Sequence, residues 1–333
     1  MEKSAEAAPV LSVVVAARNE AATIGPCLDA LLGQALAHGR LDVLVVDDGS
    51  RDATAAIVAG RGVPCLRLEP SGPSVARNRG AQAVRGAIVA FVDADAVVAG
   101  DWAARLLDAF ATIDDPRLVA VGGSQDGHPD DSPFARDVDR FLHGIGFVAD
   151  YTKPHANRRR VGHNASCNSA YRREAFLQAG GFRPGLFPGE DVDLDRRIAD
   201  RGGSVWFTPE VRVAHHRPAS VRAWLRMLVG YARCQADCVA IHGLFRLLHT
   251  VPLLWLAALL ALTLFPGPLF LTGIAAILLA SGILWRRQGL PPARGTFFLI
   301  TTGLIYPTVF LIHLARQLLR RAPAPRRLPP LAG

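Results

Sequence analysis

The chain has 333 residues, half of them apolar, a formal net charge of +8 and a mean hydropathy of +0.22. That length allows one domain or two, and the composition excludes a disordered or collagenous chain. From Cys238 onward there is no Asp or Glu but there are nine Arg, so all 29 acids and 28 of the 37 bases lie before it; the positive charge belongs to an apolar tail, and no nucleic-acid partner is expected.

Residues 1–9 read as a disordered polar start without a secretory signal. VLSVVVAA at 10–17 is a β-branched run expected to form a buried strand. In the following RNEAATIGPCLDALLGQAL, Ile24, Leu28, Leu31, Leu32 and Leu36 share a helical stripe. LDVLVVDDGS is a second strand ending in a turn, RDATAAIVAGRG a helix stopped by glycine, and VPCLRLE a third strand. PSGPSVARNRGAQAVRG reads as loop and helix, and AIVAFVDADA as a fourth strand. This alternation predicts an α/β fold, a mostly parallel Rossmann-like sheet with helices on both faces. Ligands of such sheets sit beyond the carboxyl ends of the strands, where RNE, DDGS and DAD all fall.

DWAARLLDAFATI continues as a helix and LVAVGGSQDG as a strand. Residues 125–165 are irregular apart from a helix reaching Tyr151, the kind of stretch that forms lids and binding loops. NSAYRREAFLQAGG and EDVDLDRRIADRGG read as two helices, and SVWFTPEVRVAHH as a strand that closes a catalytic domain over 10–217. Over 218–246, Arg222, Arg226 and Arg233 accompany Trp224, Leu225, Leu228 and Val229, a basic amphipathic helix suited to a membrane surface. Three apolar runs follow, at about 247–265, 268–285 and 296–314, each near the length of a bilayer span; they define a membrane domain over 247–315, with Pro307 marking a bent or re-entrant segment. A basic, Pro-rich tail occupies 316–333. The expected location is the cell inner (cytoplasmic) membrane, with the catalytic domain in the cytosol and its thiols reduced. The five cysteines are scattered, without a CxxC pair or zinc-ligand spacing.

Asp93 and Asp95 end a strand one residue apart, where they suit Mg2+ or Mn2+ completed by substrate phosphates; alone, the tripeptide reads first as an ordinary polar strand end. Asp47 and Asp48 follow another strand, and a carboxylate there can accept from a base imide or a ribose hydroxyl, while Ser50 or Asp52 caps the next helix. Arg77, Asn78 and Arg79 begin a helix, a place that favours anions. Glu190 and Asp191 open another, where a carboxylate can be a general base or merely complement the helix dipole. His215 and His216 can complete a metal or phosphate site, or occupy a turn; Asn168, His215 and Arg226 are candidates for contact with an acceptor or a phosphate. There is no GxGxxG or Walker-type loop.

Taken in order, SVVVAARNEAATIGPCLDALL, VLVVDDGSRDAT, SVARNRGAQAVRGAIVAFVDADA, NSAYRREAFLQAGGF and GEDVDLDRRIADRG resemble the glycosyltransferase family 2 enzymes of the GT-A fold, over about residues 10–217. The resemblance implies a nucleotide-sugar donor, a divalent metal and inverting single displacement. By position it implies that Asp48 contacts the nucleotide base and that Glu20 and Arg77 lie near the nucleotide. It further implies that Asp93 and Asp95 are the DxD holding metal and diphosphate, and that Asp191 is the base beside Glu190. The QxxRW motif of processive members is missing from WLRMLVGYAR, so a single transfer to a lipid-linked or membrane-proximal acceptor, a lipid or a glycan, is expected. A processive polysaccharide synthase and a catalytically decayed membrane scaffold are the alternatives, the latter opposed by the presence of Asp93, Asp95 and Asp191.

Overall fold

The computed structural model describes residues 10–38, 41–145, 157–264, 267, 282–283, 285–319 and 328–332. The expected disordered start at 1–9, and most of the second apolar run at 268–285, lie outside the described residues. The chain forms two compact units: Met1–His128 with Ala149–His216 and Arg327–Gly333, and Pro129–Val148 with Arg217–Arg326.

The first unit is built on a nine-stranded sheet. Its strands are β1 (Leu11–Ala17), β2 (Leu41–Asp47), β3 (Cys65–Arg67), β4 (Ile88–Asp93), β5 (Ala96–Val98), β6 (Leu118–Gly127), β7 (Arg159–Val161), β8 (Asn168–Arg172) and β9 (Ser204–His215). They run in the order β3-β2-β1-β4-β8-β6-β9-β5, with β7 also on β9. β1 to β4 pair in parallel, as the alternation predicts. β8 is antiparallel to both β4 and β6, so the sheet is mixed beyond β4. Here the sequence reading differs: NSAYRREAFLQAGG splits into strand β8 and a short helix, α6 (Arg173–Gln178). Ser169, Ala170 and Tyr171 are buried on both sides of a central strand, which gives the segment no helical stripe to show for its helical residues.

Period-two burial explains the apolar strands. Leu11, Val13, Val15 and Ala17 of β1 face one core with Ile88, Ala90 and Val92 of β4, while Val14 faces the other with Val89 and Phe91. The first core is closed by α1 (Ile24–His38) and α4 (Trp102–Thr112), and α2 (Thr54–Gly60) packs on the same side through Val58. The second is closed by α3 (Pro73–Ala83), α6 and α7 (Glu190–Asp200). Helices therefore cover both faces, as expected. Gly80 lets α3 sit directly on β1, since a Cβ there would lie 2.3 Å from Val14 Cγ1. Leu328–Ala332 returns to this unit: the Leu331 amide donates to the Leu177 carbonyl at 2.9 Å and Gln82 donates to the Ala332 carbonyl at 2.8 Å.

The second unit contains α5 (Pro133–Ile145), α8 (Val221–His242), α9 (Val251–Leu264) and α10 (Pro292–Leu318). Phe141, Trp224, Trp285 and Phe298 form its aromatic centre. On α8, Trp224 and Leu228 are buried while Arg222, Arg226 and Arg233 share an exposed stripe, the expected amphipathic pattern. α10 is one continuous 27-residue helix with Pro307 inside it, long and apolar enough to cross a membrane. It is the single straight helix of that kind among the described residues, where three apolar spans are expected.

Candidate active site

The parallel register brings the polar strand ends together. Ala16 pairs with Asp93 and Ala17 with Asp47, so the turns after β1, β2 and β4 emerge side by side. The first two interlock. Asn19 adopts a left-handed φ of 57°, a conformation Asn tolerates; its amide donates to Ser50 Oγ at 2.9 Å and its Oδ1 accepts from the Arg51 amide at 2.9 Å. The Glu20 amide donates to Thr54 Oγ1 at 2.8 Å, and Asp52 accepts from the Thr54 amide at 3.0 Å where α2 begins. Neither predicted residue is the cap: the N-cap of α2 is Ala53, without a side-chain cap bond, while Asp52 one residue earlier braces Thr54 and Ser50 braces the neighbouring loop.

Asp48 is buried, and both its oxygens are engaged by backbone. Oδ1 accepts from the Ser71 amide at 2.7 Å and Oδ2 from the Gly72 amide at 2.9 Å. It fixes the turn that opens α3 and so sets the direction of Arg77 one turn on.

Arg77 is the centre of the site. From α3, its guanidinium donates to Asp93 Oδ1 at 2.6 Å and to Glu190 Oε1 at 3.0 Å, bridging β4 and α7. The Phe182 and Phe187 rings lie 5.7 and 5.8 Å from its charge. Burial acts to lower the Arg77 pKa, and Asp93 and Glu190 more than reverse it, so the net shift is upward. Burial likewise acts to raise Asp93, but Arg77 and His215 together hold its carboxyl well below the usual range. Glu190 is buried, and that burial, reinforced by the Asp191 charge, pushes it up to about 7.

Asp191 stands beside Glu190 on the first turn of α7 and is only half-buried. It accepts from the Ser166 amide at 3.2 Å, while Ser166 Oγ donates to Glu190 Oε1 at 2.9 Å. Ser166 therefore orients both carboxylates. Glu20 faces the same acidic space: burial raises its pKa first, with smaller contributions from Asp95 and Asp93.

His215 ends β9. The β5–β9 register sets it opposite Ala96, beside the DAD turn, with Nε2 3.4 Å from Asp95 Oδ1 and 3.7 Å from Asp93 Oδ2. Burial raises Asp95, His215 opposes that, and Asp93 adds to it, with a net upward shift. Asp93, His215 and Cys167 each offer a ligand atom, all within 4.8 Å of one another. Two carboxylates with an imidazole form a donor set that suits a divalent ion.

Glu20, Arg77, Asp93, Asp95, Glu190, Asp191 and His215 thus gather at one end of the sheet, with Asp48 supporting them. Asn168 and Arg226 do not share that role. Asn168 is buried and its amide is committed: it accepts from Trp102 Nε1 at 2.9 Å and donates to the Ser124 and Val211 carbonyls at 3.0 and 2.9 Å. It is a clamp between strands rather than an acceptor contact. Arg226 lies exposed on α8 in the second unit, beside Arg222 and Arg233. Ser166 and Cys167 escape the sequence reading. Once NSAYR is a strand antiparallel to β4, the pairing of Val92 with Asn168 brings Cys167 level with Asp93, a signal that the helical reading hides.

The model of glycosyl transferase family 2 matches residues 12–179, half of the chain. Glycosyltransferase AglE of Haloferax volcanii is 29% identical over 72% of this chain and 79% of its own length. The pre-mycofactocin glycosyltransferase of Mycobacterium tuberculosis is 28% identical over 70% of this chain but only 48% of its own length, so the chain spans about half of that relative. Among solved structures, mannosyltransferase PcManGT from Pyrobaculum calidifontis, in complex with GDP-Man and Mn2+, superposes with a TM-score of 0.60 at 22% identity, covering 95% of this chain and 88% of that one. The likeness in fold is to GT-A structures, and with the family match over half its length the chain belongs to glycosyl transferase family 2 and is a glycosyltransferase.

Proposed function

We propose that the first unit moves a sugar from a nucleotide-sugar donor to an acceptor hydroxyl, with inversion and in a single transfer, with Asp191 as general base. The observation that carries this reading is the Arg77 bridge, which ties Asp93 of the DAD turn to Glu190 of the ED pair. Donor and acceptor groups need to meet at such a junction.

Each residue then has a task. Asp93, Asp95 and His215 would hold a divalent ion, Mg2+ or Mn2+, consistent with the Mn2+ and GDP-Man bound by the Pyrobaculum mannosyltransferase. Bound there, such an ion supplies positive charge against the diphosphate of the departing nucleotide. Arg77 keeps Asp93 ionised and fixes its carboxylate. Glu20 and Asp48 shape the nucleotide side, Asp48 with lone pairs beyond the two that the loop amides use. Glu190 is buried and committed to Arg77 and Ser166, so it positions; Asp191 is half-buried and accessible, so it takes the acceptor proton. Attack on the anomeric carbon from the face opposite the nucleotide converts an α-linked donor into a β-linked product.

The acceptor is a lipid-linked or membrane-proximal hydroxyl, and the chain works at the cytoplasmic face of the inner membrane. Support comes from the second unit, where Leu253, Leu254, Leu256 and Leu260 of α9 and Ile300, Leu304 and Ile312 of α10 are exposed. Contiguous exposed leucine and isoleucine on helices is the pattern of a lipid-facing surface.

The test is nucleoside diphosphate release by detergent-purified protein offered UDP-, GDP- and dTDP-sugars with Mn2+ or Mg2+, with and without membrane lipid extract. Metal-dependent release from one donor, raised by the extract, is the expected result. Release from one donor that is indifferent to the extract but raised by a soluble sugar would overturn the membrane acceptor. No donor binding across the panel would overturn the transfer reading.

A further inference from the structure

Two buried thiols stand near the DAD turn. Cys27 packs in the first core, its Sγ meeting the Asp93 backbone carbonyl at 3.5 Å, and burial together with the Asp95, Asp93 and Glu20 charges raises its pKa. Cys167 is also buried, but its sulfur is grouped with side-chain ligand atoms. Its Sγ, a carboxylate oxygen of Asp93 and a ring nitrogen of His215 all lie within 4.8 Å of one another. Nitrogen, oxygen and sulfur ligands of one ion stand about 2.0–2.3 Å from it, so two of them are at most ~4.5 Å apart. The three atoms are close enough to one another to converge on one ion after small side-chain rotations.

The topology that produces this is specific. Antiparallel pairing of β8 with β4 brings Cys167 level with Asp93, and pairing of β9 with β5 delivers His215 from the other side of the DAD turn. Gln125 Nε2 donates to the Cys167 sulfur at 2.7 Å, which holds the side chain in place.

Carboxylate and water suit Mg2+ and Mn2+, the imidazole of His215 already leans towards softer ions, and a sulfur ligand selects further against Mg2+. We infer that Cys167 is a ligand of the donor-site metal and gives that site its preference for thiophilic divalent ions over Mg2+. The inference rests on the metal reading proposed above and adds to it a residue and a selectivity. As the sulfur–metal bond forms, the thiol proton passes to solvent.

The experiment is a Co2+ titration of the full-length protein in detergent, without nucleotide, read by the sulfur-to-cobalt charge-transfer absorption and by competition with a chromophoric chelator. The expected result is a charge-transfer band that saturates at one ion per chain. It persists in Cys65→Ser, which removes the exposed thiol, and disappears in Cys167→Ser and Cys167→Ala. Both Cys167 variants should still bind Co2+, about ten- to a hundredfold more weakly. The preference for Co2+ over Mg2+ should fall by a similar factor. Tight binding without the band, or a band that survives in Cys167→Ser, overturns the inference while leaving the metal site standing. Failure of the wild-type protein to bind Co2+ at all overturns the metal reading itself, and this inference with it.

Discussion

Replacing Arg77 by Ala tests the centre of the site directly. The guanidinium is almost fully buried, and it is shared between Glu190, whose side chain is 2% exposed, and Asp93, whose side chain is 26% exposed. Breaking a buried pair by removing one partner costs roughly 3–5 kcal/mol. The lower end is expected here, because Asp93 can hydrate and keeps His215 3.7 Å away, and Glu190 keeps the Ser166 hydroxyl. Glu190 also has an escape. Its pKa is already pushed up to about 7 from an ordinary 4.5, and loss of Arg77 raises it further. A carboxyl whose folded pKa is raised holds a proton that the unfolded chain releases, so stability falls as pH climbs from the ordinary value to the folded one. Below pH 7 that slope is common to both proteins. Above pH 7 it persists only in the variant, and each unit by which the pKa rises widens the gap by ~1.4 kcal/mol. Urea unfolding at pH 6 and pH 8.5 should therefore show a loss of about 3 kcal/mol that grows by about 1–2 at the higher pH. A variant as stable as the wild type at both values, or a gap that narrows with pH, would refute the bridge as described.

Asp191→Asn should lose transfer by about a hundredfold or more while nucleotide-sugar binding, measured calorimetrically, stays near wild type; full turnover would remove Asp191 from the base role. Gly80→Ala, which in an ordinary helix gains up to ~1 kcal/mol, should instead lose about 1–3 kcal/mol in urea unfolding, because its methyl would meet Val14 at 2.3 Å. Asp195 is buried between the Asn164 amide and the Tyr171 hydroxyl, and burial pushes it up to about 8 from 3.8. Its raised folded pKa makes stability fall as pH rises through that window, so Asp195→Asn should gain on the wild type by at most ~1.4 kcal/mol per pH unit across it, and a parallel pH–stability profile would contradict the shift. Ending the chain at Arg327 removes the Leu331 and Ala332 backbone contacts and the packing of Leu331 on the second core; the first unit should lose about 1–2 kcal/mol, seen as faster amide exchange at Leu177 and along α3.

What the sequence displays most openly is what a residue's own strand or helix decides. The β-branched runs at Leu11–Ala17 and Ile88–Asp93 are buried on both faces, and their carboxyl ends could be assigned ligands because parallel strands end together. What it conceals depends on pairing across distance. Asn168–Arg172 reads as the start of a helix, and only its register against β4 reveals that Cys167 stands level with Asp93 and that Asn168 clamps strands. Helix α7 shows the same division within eleven residues. Its sequence offers five acids, too many for complementing a helix dipole, and nothing local says which are chemical. The structure separates them by what approaches each one. Asp193 is neutralised in the interior by Arg183 and Arg197, Asp195 is held by Tyr171 and Asn164, and Asp200 pairs with Arg196 at the surface. Glu190 and Asp191 remain, at the one end of the helix that faces Asp93. The three structural acids anchor the helix along its length, so the first turn is presented to the site as a rigid edge. A carboxylate asked to take a proton from a hydroxyl gains most from that rigidity, because its reach is then fixed before the acceptor arrives.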